Sequence, residues 1–263
     1  MSMGYPSDLL DTEFWLLEPL LNPKGKSGPK FTNLRKTVNG LRYQAHTGCH
    51  WRYIPKEYGN WSTLCSQFRR WRDKGTWAMV LSRLQPKARC TKGRKSPFAS
   101  MIIIDPALIR GAPCGGKTFH DKGGPYGATN GAKNVIAVDT TGLPLAAIAV
   151  PASTSDGACA ALLLEHMQNL GLTGNLACVK VDRGTKDATA QALAEKYELK
   201  VEVYKGKGPA GEFVPVPQAW KVEVAHGLLG RYRRLAKSYE NTASSATAWL
   251  QIAAVGMVLK ALR

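Results

Sequence analysis

Three carboxylates stand where their types and places could do chemistry. Asp105 closes the apolar run Met101-Ile-Ile-Ile, Asp182 closes Leu176-Ala-Cys-Val-Lys-Val, and Glu223 opens a helical segment that leads into Arg231-Tyr-Arg-Arg-Leu. Two acids at neighbouring strand ends repel each other, and a hard cation relieves that repulsion. Mg²⁺ takes oxygen ligands and is commonly held by one or two carboxylates together with substrate phosphate oxygens. Taken singly, each Asp has an ordinary alternative, because Asp is common in the turns that end strands. Asp139 illustrates it: it closes an apolar run but is followed by Thr140-Thr141-Gly142, and it reads as turn chemistry. His120 and His226 could assist near the acids, although a lone histidine carries little on its own. Zinc has a weaker claim, since His46, Cys49, His50 and Cys65 lack the spacing of the common structural zinc patterns. The six cysteines contain no CxxC pair and read as reduced thiols.

The case for the three acids therefore rests on the elements that must carry them. Residues 1–84 read as a small all-helical domain. Ser7 or Asp8 could cap a first helix with Leu9, Leu10, Phe14, Leu17, Leu20 and Leu21 on one stripe, ended or kinked near Pro19. Thr32 or Asn33 caps a second helix with Leu34, Val38, Leu41 and Ala45 inward, ending near Gly48. Ser62 caps a third, Thr63 to Lys74, with Leu64, Phe68 and Trp71 buried; Trp77, Val80, Leu81 and Leu84 suggest a short fourth. The outer face of the third helix shows Ser66, Gln67, Arg69, Arg70 and Arg72. Such side chains meet phosphates and base edges when a recognition helix enters a major groove, which points to a helix-turn-helix-like module. Residues 85–100, with Pro86, Pro97 and a run of Lys and Arg, read as a basic linker.

From residue 101 to 263 strands and helices alternate. Strands are predicted at Met101 to Asp105, Lys133 to Asp139, Leu143 to Val150, Leu176 to Asp182 and Val201 to Tyr204. Helices are predicted from Asp156, from Thr185 to Lys196, and over a long stretch from Gln218. The order, three strands, helix, strand, helix, strand, helix, is that of a ribonuclease H-like mixed five-stranded sheet. In that fold the first and fourth strands are parallel neighbours, so Asp105 and Asp182 come together and Glu223 reaches them from the last helix. The Gly-rich loop Gly111 to Gly131 lacks phosphate-loop spacing and reads as a DNA-contacting hairpin tip.

Composition agrees with a polyanionic partner. The 263 residues, 44% hydrophobic, are enough for a sizeable core, and thirty-six Lys and Arg against nineteen Asp and Glu leave a formal charge of +17. No apolar run of membrane-spanning length and no signal-type N-terminus appears, so the expectation is a cytoplasmic protein and no membrane partner.

Several segments resemble bacterial insertion-sequence transposases of the DDE class, in the compact subgroup with a small helical N-terminal domain. They are Thr47-Gly-Cys-His-Trp-Arg-Tyr-Ile-Pro, Gly59-Asn-Trp-Ser-Thr, Phe68-Arg-Arg-Trp, Gly75-Thr-Trp, Val138-Asp-Thr-Thr-Gly-Leu-Pro-Leu, Trp220-Lys-Val-Glu and Leu229-Gly-Arg-Tyr-Arg-Arg-Leu-Ala-Lys-Ser-Tyr-Glu. The resemblance implies that Asp105, Asp182 and Glu223 are catalytic and hold Mg²⁺, for which Mn²⁺ can substitute. It also implies binding of terminal inverted repeats and target DNA, cleavage and strand transfer by a two-metal mechanism, a homodimer or larger assembly, and a nucleoid-associated bacterial protein. DNA contacts are expected from Gln67, Arg69, Arg70 and Arg72, and from Arg231, Arg233, Arg234 and Lys237. On the long helix Arg234 stands about 20° from the face of Glu223 and about 16 Å along the axis, where it could clamp a phosphate or, equally, form a surface salt bridge to Glu240. The sequence departs from the pattern at Asp105-Pro106, at Asp182-Arg-Gly-Thr and at Val224-Ala225. Those departures keep two alternatives open: a catalytically weakened transposase-derived DNA-binding protein, and a ribonuclease H-like nuclease without strand transfer.

Overall fold

The computed structural model describes residues 4–22, 33–113, 130–204 and 218–263. Within these, α1 (Asp11–Leu21), α2 (Leu34–Thr47), α3 (Trp61–Asp73) and α4 (Thr76–Thr91) precede the sheet. Then come β1 (Met101–Arg110), β2 (Gly131–Asp139), β3 (Pro144–Pro151), α5 (Asp156–Asn169), β4 (Cys178–Asp182), α6 (Asp187–Tyr197), β5 (Lys200–Tyr204), α7 (Trp220–Leu229) and α8 (Ala243–Lys260). The strands form one sheet in the order β3-β2-β1-β4-β5, antiparallel from β3 to β1 and parallel from β1 to β5. This is the α/β, ribonuclease H-like arrangement expected from the sequence. Most of the loop read as a hairpin tip, with Cys114 and His120, lies outside the described residues, as do Thr32 and the Gly/Pro-rich stretch before Gln218.

Side-chain alternation along the strands divides the core in two. Ile102, Ile104, Val135, Ala137, Val179 and Val181 pack against Cys159, Leu163, Leu164 and Met167 of α5. Ile103, Ile136, Val138 and Ala147 face the other way, into a larger cluster with Val222, Ala225 and Leu229 of α7 and most of α8. The same cluster takes in Leu17, Val38, Leu41, Phe68, Trp77 and Leu81, so the N-terminal helices and the sheet share one core. Trp249 of α8, stacked on Phe68 of α3 with ring centroids 4.5 Å apart, is part of that joint.

Four local expectations change. The predicted linker begins inside α4, which runs through Pro86 to Thr91. Leu84, Gln85, Ala88 and Arg89 on both sides of the proline are buried, and packing overrides the break. The strand predicted to end at Asp105 continues through Pro106 to Arg110. Its pairing with β4 ends at Ile104, opposite Val181, and on that newly opened edge a residue without N–H is tolerated. The long helix from Gln218 is two pieces: α7 ends at Leu229, and the chain turns so that Tyr232 is buried, its ring 4.2 Å from that of His46. The third helix starts earlier than read, with Asn60 as its cap, accepting from Ser62 N at 2.9 Å.

A buried ion pair ties α4 to the sheet. Arg89 Nη1 donates to Asp139 Oδ2, which also accepts from Gln85 Nε2 at 3.0 Å. Asp139 Oδ1 accepts from the backbone of Thr141 at 2.8 Å and of Leu143 at 3.2 Å, which is the turn role read from the sequence. Removing one partner of a buried pair strands the other charge, at a cost on the order of 3–5 kcal/mol. Asp139→Ala is therefore expected to lower unfolding free energy by that order in urea melts; a loss below about 1 kcal/mol would contradict the role given to the pair.

Candidate active site

β1 and β4 pair in parallel with Ile104 opposite Val181, so the next residues in register are Asp105 and Asp182. Adjacent strands lie about 4.8 Å apart, close enough for two carboxylates to repel strongly. Both acids follow residues that face α5, so alternation turns them to the side occupied by α7. There Val222, Ala225 and Leu229 seat α7 on the sheet, leaving Glu223 exposed in its first turn and His226 at its margin.

The electrostatics express this gathering. The Asp105 carboxyl is pushed up to about 7, first by burial and then by Asp182, Glu223 and Asp156. Tyr204, the register partner of Asp182 on β5, has its phenol pushed up by burial and by Asp105, Asp182 and Glu223, so it stays protonated. Asp182 Oδ1 accepts from the backbone of Arg183 at 2.7 Å. His226 Nε2 lies 3.1 Å from the Asp105 carbonyl oxygen and 3.4 Å from its Oδ2, and burial holds the ring pKa below its ordinary value.

Two contributors escaped the sequence reading. Tyr204 was read only as the end of a strand. Asp156, in the first turn of α5, is held by Lys133 Nζ at 2.9 Å and lies against Gly184, where any Cβ would collide with its carboxylate. That close approach gives the Asp182-Arg-Gly-Thr sequence a physical reason: a residue larger than glycine at 184 would displace Asp156.

An all-oxygen donor set of neighbouring carboxyls suits a hard divalent cation. Among the described residues, however, no group of three or more His, Cys, Asp and Glu side chains is arranged to hold a metal ion. Asp105, Asp182 and Glu223 share one electrostatic neighbourhood without closing into a three-ligand cluster.

The basic and polar candidates divide. Arg69 and Arg70 are exposed on α3, and Arg231, Arg233 and Lys237 are exposed after α7. Gln67 is instead buried: it falls at the i+3 position between Leu64 and Phe68 and belongs to the inward stripe. Arg72 is engaged, bonding Ser245 Oγ of α8 at 2.9 Å and Asp73 Oδ1 at 2.8 Å. Arg234 is not on the helix of Glu223, because that helix ends at Leu229. Its guanidinium pairs with Glu240 and lies over the rings of Tyr239 and Trp249, at 5.5 and 5.4 Å, which removes the phosphate-clamp placement.

The fold and the acids at its central strand ends define a ribonuclease H-like protein with an acidic site. Residues 9–81, from the start of α1 into α4, match the family model described as "Putative transposase of IS4/5 family (DUF4096)". By this match the N-terminal region is similar to insertion-sequence transposases. No curated protein and no solved structure matches the chain.

A carboxyl near 7 in the folded chain and near 4 in the unfolded one binds its proton more tightly when folded. Its contribution is therefore greatest at acid pH and is lost as pH rises from about 4 to about 7. In urea melts without divalent cations, wild type should lose more stability than Asp105→Asn between those limits; equal pH slopes would contradict the shift.

Proposed function

We propose that this chain is a DNA transposase that binds the terminal inverted repeats of an insertion sequence and carries out metal-dependent strand cleavage and strand transfer at Asp105, Asp182 and Glu223. The observation that carries the reading is the parallel register that sets Asp105 beside Asp182, with α7 and its Glu223 packed on the same side of the sheet, in a chain whose residues 9–81 match a transposase family model. The three carboxylates would hold Mg²⁺, or Mn²⁺ in its place. Bound there, the metal supplies activation of the attacking water or DNA 3′-hydroxyl and stabilisation of the leaving 3′-oxygen. Glu223, exposed at the start of α7, is the acid that can approach from the side of the substrate.

Arg69, Arg70, Arg231, Arg233 and Lys237 remain for the phosphate backbone, backed by the overall +17 charge. Joining two element ends calls for at least a homodimer, and the setting would be the bacterial nucleoid.

The test is cleavage of a labelled duplex bearing the element's inverted-repeat end, with Mg²⁺ or Mn²⁺. Wild type should cut at the element boundary and join the 3′ end to target DNA. Asp105→Asn, Asp182→Asn and Glu223→Gln should each bind the end normally and cut at least a hundredfold more slowly; any of them cutting at the wild-type rate would remove that residue from the site. Specific binding without cutting by wild type would mark a transposase-derived DNA-binding protein, and cutting without joining a nuclease. Arg69→Ala with Arg70→Ala should weaken end binding and reduce the salt slope by up to about 2, as expected for two lost phosphate contacts.

A further inference from the structure

We infer that His226 is a positioning residue that clips Asp105 to α7 and thereby sets the spacing between Asp105 and Glu223. The inference rests on the reading of the three acids given above.

Past Ile104 the ladder from β1 to β4 has ended, and the Asp105 carbonyl oxygen is met at 3.1 Å by His226 Nε2. The same nitrogen stands 3.4 Å from the Asp105 carboxylate. A carbonyl oxygen only accepts, so Nε2 carries the proton, and one N–H reaches both the main chain and the side chain of Asp105. Glu223 is three residues earlier on α7, about 4.5 Å along the axis. A clip at His226 therefore fixes two acids from different elements against each other. Its role is not the seating of α7, because Val222, Ala225 and Leu229 already bury that face.

The experiment compares the full chain with His226→Phe, which keeps a ring without the donor, and His226→Gln, which keeps a terminal N–H. Mn²⁺ binding is read without DNA by electron paramagnetic resonance of the free ion. His226→Phe is expected to bind Mn²⁺ about tenfold more weakly, the lower end of the effect of losing a group that orients a metal ligand. Its melting temperature and DNA-end affinity should be unchanged, and His226→Gln should recover most of the Mn²⁺ affinity. Should His226→Phe not fold, His226→Asn, whose amide is too short to reach Asp105, replaces it with the same expected loss. Wild-type Mn²⁺ affinity in the donorless variant, or equal loss in His226→Gln, would overturn the inference. Asp105→Asn separates the two failures. If it too binds Mn²⁺ like wild type, the three-acid reading has failed; if it alone loses Mn²⁺, only the role of His226 has.

Discussion

The parallel pairing of β1 with β4 is the constraint from which the acidic site follows. Its register places Ile103 opposite Lys180 and Ile104 opposite Val181, and the next step sets two carboxylates side by side. The apolar residues beneath them are fully buried, so neither strand can slip by one residue without turning its apolar set toward the wrong helix layer. The repulsion between Asp105 and Asp182 is thus held in place by the hydrophobic core. Burial first, and then Asp182, raise the Asp105 carboxyl.

Helices on both faces keep that register. α5 covers one side, with Asp156 anchored by Lys133; α7 and α8 cover the other. α8 also buries the inner faces of α2, α3 and α4, so the exposed arginines of α3 and the acids of the sheet belong to one packed body. Gly48 reinforces this where α2 ends. Its backbone is left-handed, at φ 68°, and a Cβ would come within 3.3 Å of the Arg233 main chain. The segment bearing Arg231 and Arg233 is thus packed against the end of α2.

Much of this was legible because it is local and periodic. The β and α alternation, the order of the strands and the positions of Asp105 and Asp182 follow from short apolar runs and their punctuation. Turn chemistry likewise identified Asp139 from the Thr-Thr-Gly that follows it. What escaped depends on contacts between distant residues. α8 is apolar nearly all round and so has no stripe to reveal it, and its burial is visible only once α4 and β3 are packed on it. α4 passes through Pro86 because Arg89 has a partner fifty residues away in Asp139. Gln67 looks like a surface group by type yet lies on an inward stripe; the pairing of Arg234 with Glu240 is one of two readings open in the sequence, and its packing over Trp249 of α8 is not. Polarity shows what a side chain can bond, but the partner decides where it points.

That distinction bears on how a chain of net charge +17 could use an acidic site. The long-range field draws a polyanion in, while at short range Asp105, Asp182, Glu223 and the nearby Asp156 push a phosphate away. Lys133 is already committed to Asp156, and Arg72 and Arg234 are committed to partners of their own, so these cations are not available to neutralise the acids. Burial and the neighbouring acids raise the Asp105 carboxyl to about 7, so protonation removes only part of its charge near neutral pH. Under the proposed function, the exposed arginines would hold the DNA backbone, and a divalent cation held by Asp105, Asp182 and Glu223 would offset their charge toward phosphate.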